Sequence, residues 1–291
     1  MALRYHVVRF AEHLDLAALP IDGLHLLHGS GRGVQVQQPA GWLSLWLPLT
    51  GALHLETPGS AWTLESGHAQ LWREGRLRCS SHLPCWWLAL AGPVAAWSHC
   101  LQTLPGHSDS ELFPWEGPAP RAVRHLLVWL ARQARRDGAD NSLIAPRLQA
   151  LCAALLDQQQ ELHARLPRCS GRTLRRRQQT MLRLLRVQHL VRRDADSRLD
   201  LARLARSASY SPCHLIRIYR DVFDETPSEY AARLRTDRAW RMVRDTAMPV
   251  CEITEALGFE SQSAFCRAFK QCFGLTATQA RRLDHYAAHA A

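Results

Sequence analysis

The chain has 291 residues, enough for two domains, and a formal charge of +10. It has no run of about 18 apolar residues, which excludes a transmembrane helix, and its opening MALRYHVVRFAEHLDL carries charges where a signal peptide has an apolar core. Nine cysteines, an odd number with no C-x-x-C pair, argue against a disulfide frame or structural zinc and for a cytoplasmic protein with reduced thiols.

Charge is divided unevenly. Residues 1–165 hold 13 Arg against 13 Asp and Glu, whereas residues 166–291 hold 22 Arg and Lys270 against 13 acids. The whole excess sits in the second part, and a basic segment with exposed helices asks for an anionic polymer. An arginine bias on a solvated surface is the plain alternative, and it leaves the neutral first part unexplained.

Residues 1–110 read as strand and turn. Trp42–Leu47 alternates imperfectly and stops at Pro48. Leu53–Glu56 follow Gly51, a Pro58-Gly59 turn leads to Trp62–Leu64, and beyond Gly67 come segments 69–73, 77–79 and 85–90. This spacing predicts an antiparallel sandwich or barrel. Nine of the ten tryptophans precede residue 130. Trp42, Trp46, Trp62 and Trp72 are candidates for lining an aromatic effector cavity. Filling the core is the equal alternative, and Trp86 and Trp87 must point to opposite faces. His54, Glu56, His68 and His82 raise a metal-dependent enzyme reading. His54 and Glu56 can share a face, but the second histidine of a tight H-x-H is missing, so no metal, cofactor or catalytic residue is expected.

Val123, Leu126, Leu127, Leu130 and Ala134 recur at helical spacing and predict a helix over 120–136. Leu148, Leu151, Ala154 and Leu155 predict another over 146–165, with Pro146 at its first position and a turn at Gly138–Ser142. The two stripes either cover the barrel or form a homodimer seam. LPRCSGRTLRRRQQ, residues 166–179, reads as an interdomain linker. Arg175–Arg177 within it either touch phosphates or stand on a solvated helix start, and a helix is expected over 180–193.

Two related segments follow. In the first, Leu199–Arg206 lead to a helix capped by Ser211 with Pro212 at its first position. Leu215, Ile218, Tyr219 and Val222 face inward; Cys213, Ile216, Arg217 and Arg220 face out. A helix over Ser228–Asp245, roughly 27 Å long, leads to the second segment. There Val250–Leu257, opened by Pro249, pass through Gly258-Phe259 to a helix capped by Ser261 and ended by Gly274. Phe265, Ala268, Phe269, Cys272 and Phe273 form its apolar stripe; Gln262, Ser263, Cys266, Arg267 and Lys270 form the opposite face. Helix, tight turn and exposed helix make the helix-turn-helix pattern, whose second helix enters the DNA major groove.

The segments correspond residue by residue. Leu215 and Phe265, Arg217 and Arg267, Tyr219 and Phe269, Arg220 and Lys270, Phe223 and Phe273, Thr226 and Thr276 lie fifty apart. Leu204 and Ile253, Ser209 and Gly258, Tyr210 and Phe259 lie one closer, so the second copy has one extra residue before its exposed helix. Two copies suggest one bipartite reader rather than a solenoid.

Gly258-Phe259, Ser261, Phe265, Arg267, Phe269-Lys270, Gly274 and Thr276 resemble the signature of the AraC/XylS family of bacterial transcription regulators, and the resemblance covers roughly residues 175–283. Ala277 departs from the usual proline, which Pro227 supplies in the first copy. Ser209 departs from the usual turn glycine and suggests a strained or reshaped first turn. The resemblance implies an α+β chain of two domains. Residues 1–165 would be a cupin-like β-barrel or jelly-roll with two helices, serving effector binding and dimerisation. After the linker, residues 180–291 would be an all-α DNA-binding domain with tandem helix-turn-helix motifs. Base-edge contacts are implied for Cys213, Ile216 and Arg217 in one exposed helix and for Gln262, Ser263 and Arg267 in the other.

An arginine reads guanine, and a glutamine adenine, through paired hydrogen bonds. Ile216 either packs on a thymine methyl or is a chance exposed aliphatic. Arg220 and Lys270, later on their helices, suit phosphates. The expected function is a sequence-specific transcription activator responding to a small-molecule effector. Its expected partners are double-stranded DNA and RNA polymerase, with no membrane and no enzyme activity. The rivals are a regulator governed by a protein partner or by expression level, and a cupin-type enzyme tethered to DNA.

Overall fold

The computed structural model describes residues 2–73, 75–107, 109–136, 141–193 and 199–282. It divides into two compact units, Met1–Leu185 and Arg186–Ala291. The first unit opens with β1 (Ala2–Val8), β2 (His13–Asp15), β3 (Gly23–Gly31), β4 (Gln35–Gln38), β5 (Trp42–Thr50) and β6 (Ala52–Thr57). β7 (Ser60–Glu65), β8 (His68–Trp72), β9 (Leu77–Ser80), β10 (Cys85–Pro93), α1 (Val94–Gln102) and β11 (Trp115–Pro118) follow. The unit continues through α2 (Arg121–Ala134), α3 (Asn141–Gln158) and α4 (Gln160–Arg165) into α5 (Leu174–Arg193), inside which the division falls.

Six strands form one sheet, in the order β1-β3-β10-β5-β8-β11, and five the other, β2-β4-β9-β6-β7. The six-stranded sheet is the middle of three layers. Trp46 of β5 and Trp87 of β10 point into a core shared with Leu53, Leu55, Trp62 and Leu64 of the second sheet. Their neighbours Leu45, Leu47, Leu88 and Leu90 point the other way, into a core built with Trp97, Leu127, Leu130, Leu151 and Leu155 of the helices. A strand buried on both faces has no polar side to alternate with, which is why Trp42–Leu47 looks irregular in sequence.

Several expectations need correction. The sheets are not purely antiparallel: β1 runs parallel to β3, and β2 to β4. After β1 the chain crosses to the other sheet as β2 and returns in its first direction, the crossover that a parallel pair needs. Pro146 lies inside α3 rather than at its first position. The proposed turn at Gly138–Ser142 lies largely outside the described residues. Both helical stripes, Val123 to Ala134 and Leu148 to Leu155, are taken up by the core against the six-stranded sheet. Residues 166–179 pack on the first unit: Leu166 and Cys169 are buried, α5 already starts at Leu174, and Gln178 Nε2 donates to the Asp109 carbonyl at 2.9 Å.

The second unit is helical: the end of α5, α6 (Leu201–Ala208), α7 (Pro212–Phe223), α8 (Pro227–Asp245), α9 (Val250–Ala256), α10 (Gln262–Phe273) and a helical stretch at 277–282. α8 touches α7, α9 and α10. Val243, Ile253, Leu257, Phe265, Phe269, Ala277 and Ala280 form one core there, closed by Trp240, whose ring lies 4.6 Å from that of Phe273. Among the described residues no helix is long and apolar enough to cross a membrane.

Candidate nucleic-acid interface

α6 with α7 and α9 with α10 are built on one frame. α6 ends at Ser209 (φ 59°), with Ser209 N–H donating to the Arg206 carbonyl at 3.0 Å and Tyr210 N–H to Ala205 at 2.9 Å. α9 ends at Gly258 (φ 66°), with Gly258 N–H donating to Glu255 at 2.9 Å and Phe259 N–H to Thr254 at 3.1 Å. The serine turn is therefore strained rather than reshaped. One residue later the copies differ, and Glu260 is the extra residue of the second.

The exposed helices start and stop alike. Ser211 Oγ accepts from His214 N–H at 3.4 Å, and Ser261 Oγ from Ala264 N–H at 3.1 Å. α7 is closed by Asp224 (φ 65°) and α10 by Gly274 (φ 73°), each N–H donating at 2.8 Å, to Arg220 and Lys270 respectively. Thr226 then caps α8 in a reciprocal box with Glu229, and Thr276 makes the same bonds with Gln279. Asp224 with Gly274 and Glu229 with Gln279 were not legible as pairs, because their side chains share a role and not a chemistry.

The buried backs are as the periodicity predicts. Leu215, Ile218, Tyr219 and Val222 are buried on α7, Phe265 and Phe269 on α10. The Tyr219 phenol is pushed far up by burial, while Arg192 Nε donates to Tyr230 Oη at 2.6 Å. Cys272 departs from expectation and is exposed. Its counterpart Val222 is covered. Among the described residues the main contacts of α10 are with α8 and α9.

On the front, Cys213, Arg217 and Arg220 of α7 and Gln262, Ser263, Cys266, Arg267 and Lys270 of α10 are exposed, and Ile216 is half-buried. Arg217 Nη2 lies 3.1 Å from His214 Nδ1. Arg220 faces Glu229 at 3.2 Å, an exposed pair of the kind worth little in water. Arg267 and Lys270 have no ion pair or hydrogen-bond partner among the described residues, so their charges face solvent. The row on α10 is thus an exposed, donor-rich strip backed by the buried Phe265 and Phe269.

In the first unit, Trp42, Trp46, Trp62 and Trp72 are all buried in the core between the sheets. Trp46 lies 5.5 Å from Trp87 and Trp62 5.5 Å from Trp72, centroid to centroid, while His25 stacks on Trp42 at 5.5 Å. Trp46 Nε1 donates to Ser44 Oγ at 2.7 Å. A cavity of about 300 Å³ opens at the ends of β4, β6 and β9, between Gln37, Glu56, Arg76 and Arg78. His54 and Glu56 do share a face, the outer one, because Leu53 and Leu55 take the inside. His82 lies beside His54 at 5.3 Å, and Glu56 faces Arg78 at 3.6 Å; His68 is exposed on β8. No three His, Cys, Asp or Glu side chains converge on a metal-sized space among the described residues. All nine cysteines are free thiols.

A family model described as a helix-turn-helix domain matches residues 204–283. The transcriptional regulator Rob of Salmonella typhimurium is 34% identical over 93 residues, 32% of each chain. The probable transcriptional regulator LumQ of Photobacterium leiognathi is 20% identical over 158 residues, 54% of this chain and 59% of that one. A solved transcriptional regulator of Chromobacterium violaceum, described as having an AraC-type DNA-binding domain, is 24% identical over 34% of this chain and 89% of its own, with a TM-score of 0.33. The chain thus spans less than two thirds of the length of either curated relative. Residues 204–283 are a helix-turn-helix domain similar to those of the AraC-type regulators.

Proposed function

We propose that this protein is a sequence-specific DNA-binding transcription regulator in which both helix pairs, α6–α7 and α9–α10, act as helix-turn-helix readers. The observation that carries the reading is the exposed strip Gln262, Ser263, Arg267 and Lys270, backed by buried Phe265 and Phe269 and repeated on α7 in the same frame of caps and turns. Base reading falls to Cys213, Ile216 and Arg217 on α7 and to Gln262, Ser263 and Arg267 on α10. Arg220 and Lys270 hold phosphates and set register. The DNA-binding domain starts at residue 180 in this reading, after the segment 166–179.

The first unit, read as a cupin-like module, would make the regulator, an activator in this reading, responsive to a small effector before RNA polymerase is engaged. An effector using Trp42, Trp46, Trp62 or Trp72 has to open a packed core. A homodimer through the helices of 121–165 has to use their outer surfaces, since the apolar stripes are already covered.

Selection of bound duplexes from a random pool by the full chain tests the reading. It should recover two unlike short elements. Binding of the recovered site should weaken steeply with salt, with a log–log slope of about −0.9 per phosphate contacted. Recovery of no consensus, or a flat salt response, would contradict it.

A further inference from the structure

Arg220 and Lys270 hold equivalent places in the last turns of α7 and α10, and one charge separates their surroundings. Arg220 Nη2 lies 3.2 and 3.4 Å from the two carboxylate oxygens of Glu229. That carboxylate is anchored, because its Oε2 also accepts from Thr226 N–H at 2.6 Å. The Thr226 backbone and hydroxyl bonds hold the Glu229 carboxyl below its ordinary range, so it stays ionised. In the second copy the residue that matches Glu229 is Gln279, whose Oε1 accepts from Thr276 N–H at 2.8 Å. The amide caps the following helix in the same way and brings no charge.

The neighbourhood accentuates the difference. Residues 211–230 carry Arg217 and Arg220 against Asp221, Asp224, Glu225 and Glu229, whereas residues 261–280 carry Arg267 and Lys270 and no acid. Glu252, Glu255 and Glu260 of the second pair lie on α9 and its turn, ahead of α10. A phosphate approaching Arg220 must share the guanidinium with a fixed carboxylate and is repelled by it. A phosphate approaching Lys270 meets neither obstacle.

Resting on the reading of both pairs as DNA readers, we propose that Glu229 is an intramolecular rival for the phosphate contacted by Arg220. The first pair therefore grips the DNA backbone more weakly than the second, and acid or amide at this one position sets the share. The exposed Arg220–Glu229 pair is weak enough to open on DNA. What persists is the repulsion from a carboxylate that the capping box does not release.

The two copies supply each other's controls. Glu229→Gln installs the second copy's arrangement in the first, and Gln279→Glu does the reverse; both keep a side chain that can complete the cap. The full chain and both variants are titrated by fluorescence anisotropy with a mixed-sequence duplex about three helical turns long, between about 50 and 200 mM salt. E229Q should bind more tightly at low salt, with a slope steeper by about 0.9, so that it loses roughly 3.5-fold more affinity across this range. Q279E should shift by the same amount in the opposite sense. Should E229Q melt below the native chain, Q279E decides alone. Unchanged affinity and slope in the folded variants, with steep salt dependence in the native chain, would overturn the role of Glu229 and leave the DNA reading standing. No salt-dependent binding by the native chain would instead overturn the DNA reading itself.

Discussion

Ser209 and Gly258 hold the same left-handed backbone, φ 59° and 66°, at the same point of two helix pairs, and the residue after each closes the same hydrogen bond back into its helix. A serine in this conformation costs about 1 kcal/mol that a glycine does not. The first turn is therefore the strained copy of the second. Ser209→Gly should raise the stability of the helical unit by up to about 1 kcal/mol, reduced by the entropy that glycine adds to the unfolded chain. Gly258→Ala should lower it by about 1 kcal/mol or more. Urea unfolding measures both, and a clear loss of stability in Ser209→Gly would contradict the account. Amide exchange in the native chain should open at Ser209 before Gly258.

Arg267 and Lys270 stand one turn apart on α10, both exposed and neither paired among the described residues. Arg267→Ala should cost about 1–3 kcal/mol of discrimination between the selected site and random DNA. Lys270→Ala should weaken both about equally and reduce the salt slope by about 1. Competition gel shifts with selected and scrambled duplexes separate the two effects. Equal losses on both duplexes in both variants would remove Arg267 from base reading.

Acid should destabilise the helical unit through His189 on α5. The residue is half-buried and its Nε2 is buried; desolvation first, then the charges of Arg193 and Arg192, lower its pKa from 6.5 to about 3. The folded pKa lies below the unfolded one, so the unfolded chain binds more protons between them. The stability His189 contributes is complete above about pH 6.5 and is lost as pH falls toward 3. His6, His25, His28 and His163 of the first unit are also lowered, chiefly by burial, and act in the same direction. His189→Gln should therefore show a smaller fall in melting temperature between about pH 7 and 5. An unchanged fall would assign the acid response to the other histidines.

The helical unit was legible because its signals are local. A 3.6-residue period buries Leu215, Tyr219, Phe265 and Phe269, and serine caps and left-handed stops bound each helix within a few residues. Strands β5 to β10 were legible from Gly and Pro punctuation, although β5 hides its alternation by being covered on both faces. β1 to β4 were not resolved as separate strands. β1 and β2 pair in parallel with β3 and β4, and such pairing leaves no turn between partners to read. Cys272 is exposed where its counterpart Val222 is buried, a difference set by tertiary packing that no local pattern records. The Arg220–Glu229 contact leaves no local pattern either, because the two residues lie nine apart, across the end of one helix and the start of the next.

Two helix pairs of one chain that read DNA together have to fit one duplex. α8 spans 19 residues, roughly 28 Å, close to the roughly 34 Å between successive major-groove faces. The exposed residues of α7 and α10 differ, so the two elements should be unlike and about 10–10.5 base pairs apart, centre to centre. Inserting about half a helical turn, five base pairs, between them moves one element to the far side of the duplex. Gel-shift titration of the full chain on the selected site, with and without this insert, tests this joint reading most directly. The insert should lower affinity toward that of a single element. Unchanged affinity would mean that one helix pair alone reads DNA, and would contradict joint reading.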